Sequence, residues 1–182
     1  MLYDKFNSYK NFANTNERIV FQAINDCIKK LYAENGDKYL FDCKVCERCL
    51  MFRLSYQLQL KFSDYFIDCE FNKMGFNGHK TECKVEPDSS GNKLKKMYAD
   101  IIIHKRNSNT DDNFICIEIK RIRKGFEHDI LRLKNMTNNN GFVVENINYV
   151  YNYNFGFHLY LPKEKSKSEI RIFKNGEEII NL

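Results

Sequence analysis

The chain has 182 residues, 43% of them hydrophobic and 14% aromatic, which is too apolar for a disordered chain and long enough to bury a substantial core. With 29 Lys and Arg against 24 Asp and Glu the formal charge is +5, above neutrality but short of the strongly basic balance of a protein that coats nucleic acid. No apolar run reaches the roughly eighteen residues of a membrane span, and Met1-Leu2-Tyr3-Asp4-Lys5 lacks the basic start and apolar centre of a signal peptide. Seven scattered cysteines, an odd number, suit a reducing compartment, so a cytoplasmic chain with no membrane partner is expected.

In chain order, Asn14 with Glu17 reads as a capping box opening a helix that carries Ile19, Val20, Ala23, Ile24, Cys27, Ile28 and Leu31 and stops near Asn35-Gly36. A second helix is expected from Asp42 to Phe62, with Val45, Cys49, Phe52, Tyr56 and Leu60 as its apolar row. A strand follows over Tyr65 to Lys73, and Met74 to Lys96 reads as a loop between two strands, punctuated by Gly75, Gly78, Pro87 and Gly91. Two β-branched runs, Met97 to Lys105 and Phe114 to Arg121, flank a polar turn centred on Asn109 and read as a hairpin. A third helix spans about Glu127 to Met136, with Asp129 near its positive end and Arg132 and Lys134 exposed. Tyr149 to Leu161 is an alternating strand whose Tyr151, Tyr153, Phe155 and Phe157 favour the core, and a last hairpin turns at Asn175-Gly176. This order predicts one α/β domain over 1–182, a sandwich around a mixed central sheet, with N-terminal helices at 14–62, a core at about 63–136 and C-terminal strands at 147–182.

If the hairpin is symmetric about Asn109, Asp100 lies opposite Glu118. Glu118 and Lys120 then share one face, roughly 7 Å apart along the strand, while Ile115, Ile117 and Ile119 take the other. Two carboxylates facing each other on neighbouring strands repel unless a cation or a shared proton lies between them. A divalent metal resolves that conflict, and Lys120 stands where it can orient or deprotonate a water or neutralise developing charge.

This stretch resembles the core of the PD-(D/E)XK nuclease superfamily, in particular small restriction-endonuclease-like proteins. Cys46 to Leu54 resembles the leading helix of that fold, Tyr65 to Lys73 its first core strand, and Asp129 to Lys134 the helix after the Glu-x-Lys. The resemblance implies a restriction-endonuclease-like αβ sandwich and a nuclease that uses Mg²⁺ or Mn²⁺. It implies that Asp100, Glu118 and the backbone carbonyl of Ile119 hold the metal, that Lys120 assists the attacking water, and that Glu47 adds a further acid. Ala99 stands where the family motif has Pro. A catalytically silent binding subunit of the same fold is the alternative.

Lys95, Lys96, Arg121, Arg123 and Lys124 flank the expected site and are candidate phosphate contacts, which makes nucleic acid the expected partner; DNA is expected ahead of RNA, with single-strand, duplex and branched forms all open. Two-strand cleavage by so small a unit favours a homodimer. Cys43, Cys46 and Cys49 are spaced by threes, but Arg53 stands where ferredoxin spacing wants a fourth Cys. An iron–sulfur or zinc centre there, even one borrowing Cys69 or His79 and Cys83, is less expected than an inward helical stripe of buried thiols.

Overall fold

A computed structural model describes residues 15–33, 37–43, 45–71, 73–76, 80–83, 85–87, 94–106, 113–144 and 146–181. Asn14 of the expected capping box, the Asn35-Gly36 helix stop, Gly78, His79, Gly91 and the turn residues 107–112 lie outside the described residues.

The first helix, α1 (Thr15–Leu31), buries Val20, Phe21, Ile24, Cys27, Ile28 and Leu31, the recurrence of three and four that lines one helical face. The expected second helix is two: α2 (Lys38–Asp42) and α3 (Glu47–Gln59). Cys43 ends α2, and Cys46 has extended backbone (φ −67°, ψ 161°) as the N-cap of α3. The break lets α2 turn Leu40 and Phe41 into the core while α3 presents Leu50, Met51, Leu54 and Leu58. That aliphatic row outcompetes the expected one, for Phe52, Tyr56 and Leu60 face outward at 55–60% exposure. The cysteine stripe also fails, because Cys43 and Cys46 are exposed and only Cys49 is partly covered.

Six strands form a mixed sheet in the order β1-β6-β7-β10-β11-β12: β1 (Phe66–Cys69), β6 (Ile101–His104), β7 (Asn113–Lys120), β10 (Phe155–Tyr160), β11 (Glu169–Lys174) and β12 (Glu177–Asn181). Every neighbouring pair is antiparallel except β7 and β10, which run parallel. The segment 74–96 is not an open loop. It folds into two small hairpins, β2 (Lys73–Phe76) with β3 (Lys80–Cys83) and β4 (Val85–Pro87) with β5 (Leu94–Lys96). The aromatic run is a strand only from Phe155. Before it, β8 (Phe142–Val144) pairs with β9 (Ile147–Tyr149), and Tyr151 and Tyr153 enter the core from irregular backbone around Asn152 (φ 54°). Asn175 (φ 53°) and Gly176 (φ 79°) supply the two left-handed residues that a tight β11–β12 turn requires.

The alternation of strand side chains divides the interior in two. Ile101, Ile103, Ile115, Ile117, Ile119, Phe157, Leu159, Ile170 and Ile172 pack under α1, α2 and α3. On the other face, Ile102, Cys116 and Phe173 pack with Met97, Ala99, Tyr151, Tyr153 and Leu133 and Met136 of α4 (Phe126–Thr137). The protein is therefore a mixed α/β structure with helices on both faces of a six-stranded mixed sheet. Among the described residues no helix is long and apolar enough to cross a membrane.

Candidate functional site

The hairpin register places Ile101 opposite Ile117 and Ile102 opposite Cys116, with a shift between Ile103 and His104; Asp100 stands one residue before β6, past the last paired position, where the same register extended would set it opposite Glu118. Both carboxylates fall on the face covered by α4, with Cys116 and Ile102 deeper along the same face. They are not bonded to each other. Asp100 Oδ2 accepts the Ile119 backbone N–H at 2.7 Å, and Glu118 Oε1 accepts a hydrogen bond from Arg132 Nη1 at 2.8 Å.

Arg132, expected to be exposed, reaches inward from α4 with only 18% of its side chain exposed. Its Nε donates to Glu86 Oε2 at 2.8 Å and its Nη2 to Glu86 Oε1 at 3.2 Å, so one guanidinium ties the β4 hairpin to the central strand. The physical reason for the inward turn is Glu118, whose buried charge needs a partner more than a long side chain on α4 needs water.

Lys120 ends β7 among carboxylates. Its Nζ lies 3.3 Å from Asp129 Oδ2 and 3.8 Å from Glu47 Oε2. Glu47 is the first residue of α3, and its Oε1 accepts the Arg121 backbone N–H at 2.9 Å, which stitches that helix to the end of β7. Asp129 is buried in the first turn of α4. Asp129 Oδ2, besides its ion pair with Lys120, faces His158 Nε2 at 3.7 Å, a buried ring nitrogen with no hydrogen-bond partner among the described residues. His158 neighbours Glu118 in the parallel β7–β10 ladder.

Four carboxylates, Glu47, Asp100, Glu118 and Asp129, thus gather about two cations, Lys120 and Arg132. Burial first, and neighbouring negative charge second, show in proton affinity. Burial pushes the Asp100 carboxyl up to about 6, with the charges of Asp129 and Glu47 adding to it against the Ile119 N–H and Lys120. Burial, then the charge of Asp100, holds Glu118 well above the usual carboxylate range despite Arg132. Burial alone lowers the Lys120 ammonium's affinity for its proton, but Asp129, Glu47 and Asp100 outweigh it and hold Lys120 above its ordinary value. Lys120 is therefore charged at neutral pH.

The metal that the resemblance implies fits the donor chemistry. Mg²⁺ and Mn²⁺ take hard oxygens, and Mg²⁺ commonly takes one or two carboxylates from protein and completes its shell with water. Asp100 and Glu118 supply such a pair, beside the Ile119 peptide. The fit is that of a pair, since among the described residues no group of three or more His, Cys, Asp and Glu is gathered as a cation site. Glu47 bonds instead to the end of β7 through Arg121 N–H and faces Lys120.

The basic candidates are largely engaged. Lys95 pairs with Glu86 at 3.3 Å, Arg121 donates to the Val45 and Phe41 carbonyls, and Arg123 pairs with Glu169. Lys96 and Lys124 are exposed. At β1, Asp68 bonds His104 Nε2 at 2.8 Å and also pairs with Arg106, while Glu70, just past the strand, accepts from Arg48 Nε at 2.9 Å. Sequence reasoning missed the inward roles of Arg132, Asp129, Glu86 and His158. The Asp129, Arg132 spacing of three was the available signal, as it puts both side chains on one helical face. At the start of α3, the Cys46 and Cys49 sulfurs lie 3.7 Å apart. No family model matches the chain, and no curated protein or solved structure matches it.

Proposed function

We propose that the protein is a metal-dependent nuclease of the PD-(D/E)XK type, with a restriction-endonuclease-like fold, that hydrolyses phosphodiester bonds in nucleic acid, DNA in preference to RNA. The observation that carries the reading is the gathering of carboxylates around Lys120 at the end of β7, with Asp100 bonded to the Ile119 N–H next to Glu118. Asp100 and Glu118 would hold the ion, with the Ile119 carbonyl beside them, and a bound Mg²⁺ or Mn²⁺ would supply Lewis acidity to the phosphodiester and ease deprotonation of the attacking water.

The chain's own groups do the rest. Lys120, beside its carboxylate neighbours, assists the attacking water and offsets charge on the phosphoryl oxygens. Glu47 and Asp129 position that ammonium from opposite helices. Lys96 and Lys124 flank the site as phosphate contacts without reading sequence.

The test is incubation of end-labelled single-stranded, duplex and branched DNA and of RNA with the protein and Mg²⁺ or Mn²⁺. Cleavage is expected on at least one DNA form, abolished by chelation and reduced about 100-fold or more in Lys120→Ala. Absence of cleavage on every substrate ends the reading. A second reading, a catalytically silent nucleic-acid-binding subunit of the same fold, is favoured by one observation: Arg132 already neutralises Glu118. It predicts shifted mobility with intact ends.

A further inference from the structure

We infer that Cys46 and Cys49 form a redox-active dithiol that closes reversibly to a disulfide by exchange with small-molecule disulfides. Cys46 is the extended N-cap of the 13-residue helix α3 and Cys49 its third residue. This Cys-x-x-Cys spacing folds one turn of backbone so that both thiols emerge on the same side. Their sulfurs lie 3.7 Å apart, in contact but unbonded, against about 2.05 Å in a disulfide, so closure requires only a side-chain adjustment within one turn.

Mutual contact together with access separates this pair from the other thiols. Cys46 is exposed and Cys49 partly so, whereas Cys27 and Cys116 are buried and Cys69, as partly covered as Cys49, meets Ser55 Oγ at 2.9 Å. Cys43, on the far side of the break between α2 and α3, is exposed as the C-cap of α2, and no metal-sized group of three or more ligands includes these cysteines among the described residues. A pair without a third ligand is the arrangement of exchange chemistry rather than of zinc or iron.

The step balances as two displacements. The Cys46 thiolate attacks one sulfur of an external disulfide such as oxidised glutathione, forming a mixed disulfide and expelling one glutathione thiolate, which takes up a proton. Cys49 loses its proton to solvent and attacks Cys46 Sγ, expelling the second thiolate, which is protonated in turn. Two protein thiols are oxidised by two electrons, and one glutathione disulfide is reduced to two thiols. Cys46 is the attacking residue because it is the more exposed, and Cys49 resolves. The proposal stands apart from the cleavage reading and is tested without it.

The full chain, reduced, is equilibrated in oxidised and reduced glutathione mixtures, alkylated, and mapped by peptide mass spectrometry. The expected result is a Cys46–Cys49 linkage, lighter by two hydrogens, that disappears on returning to reducing buffer. Cys49→Ser is expected to stop at glutathione on Cys46, and Cys46→Ser to slow modification at position 49 about tenfold or more. The inference is overturned if both residues remain alkylatable in fully oxidising buffer, if glutathione persists on wild-type Cys46, or if Cys43 enters the linkage. Both wild-type readouts stand even if a variant misfolds.

Discussion

Arg132 is the side chain on which the buried half of the site depends. It is the cation hydrogen-bonded to Glu118, itself 1% exposed, and it also holds Glu86. Removing one partner of such a pair leaves a charge without solvent. Arg132→Met is expected to cost about 3–5 kcal/mol in urea denaturation, and Arg132→Met with Glu118→Gln to recover part of that loss. Asp100 gives a pH signature of opposite origin. Its folded carboxyl binds its proton up to about 6 against an ordinary 3.8, so between those values the native state holds the proton and the unfolded chain does not. The resulting stabilisation is fully present below about pH 4 and is lost as pH rises through about 6, roughly 2–3 kcal/mol. In metal-free buffer, Asp100→Asn should remove that slope while keeping the acceptor for Ile119 N–H; an unchanged slope refutes the assignment. The pairing of the two β-branched runs was legible from their apolar pattern, and it sets Ile101 opposite Ile117; the shift between Ile103 and His104 was not, because no residue type marks it. Nor were Arg132, Asp129 and His158, because nothing in a helical or strand pattern says which way a long or polar side chain turns when a buried acid waits across a gap.

At the level of elements, the close approach of α4 to the sheet rests on Gly156. A Cβ there would meet Thr137 Cγ2 at 3.1 Å and the Leu133 side chain at 3.3 Å. Gly156→Ala is expected to destabilise by about 1–3 kcal/mol by overpacking. Because α4 carries Asp129 and Arg132, it should also raise the metal concentration needed for any cleavage. A variant with unaltered urea midpoint and metal dependence counts against this account of the packing. Helix existence and the last hairpin could be read from periodicity and from Asn175-Gly176. The break at 43–46 could not. Apolar residues recur on both sides of it, and only the packing of Phe41 against Tyr32, rings stacked at 4.1 Å, shows that α2 has its own docking partner. The same ambiguity misassigned the buried face of α3, where two rows spaced by fours compete and the aliphatic one wins.

Over the whole molecule, a charge of +5 overstates the grip available for a polyanion. Arg121 and Arg123 are tied to carbonyls and to Glu169, and Lys95 to Glu86, which leaves Lys96 and Lys124 of the five candidates. Binding of Lys120→Ala to labelled DNA in chelator should therefore weaken with salt at a log–log slope of only about −2. A slope steeper than about −5 in fluorescence anisotropy would mean that the engaged arginines are released on binding.

The single parallel contact in the sheet joins two antiparallel triplets, β1-β6-β7 and β10-β11-β12. Glu118 and His158 sit side by side across that junction, and both the α4 crossover and the β8–β9 hairpin must be traversed before the second triplet can dock. Asp100, Glu118 and Lys120 all come from the first triplet, and what the second adds is His158 beside Glu118 and, at Gly156, the floor on which α4 lies. The later triplet thus acts as a foundation: its docking fixes the helix from which Asp129 and Arg132 reach across to Lys120 and Glu118.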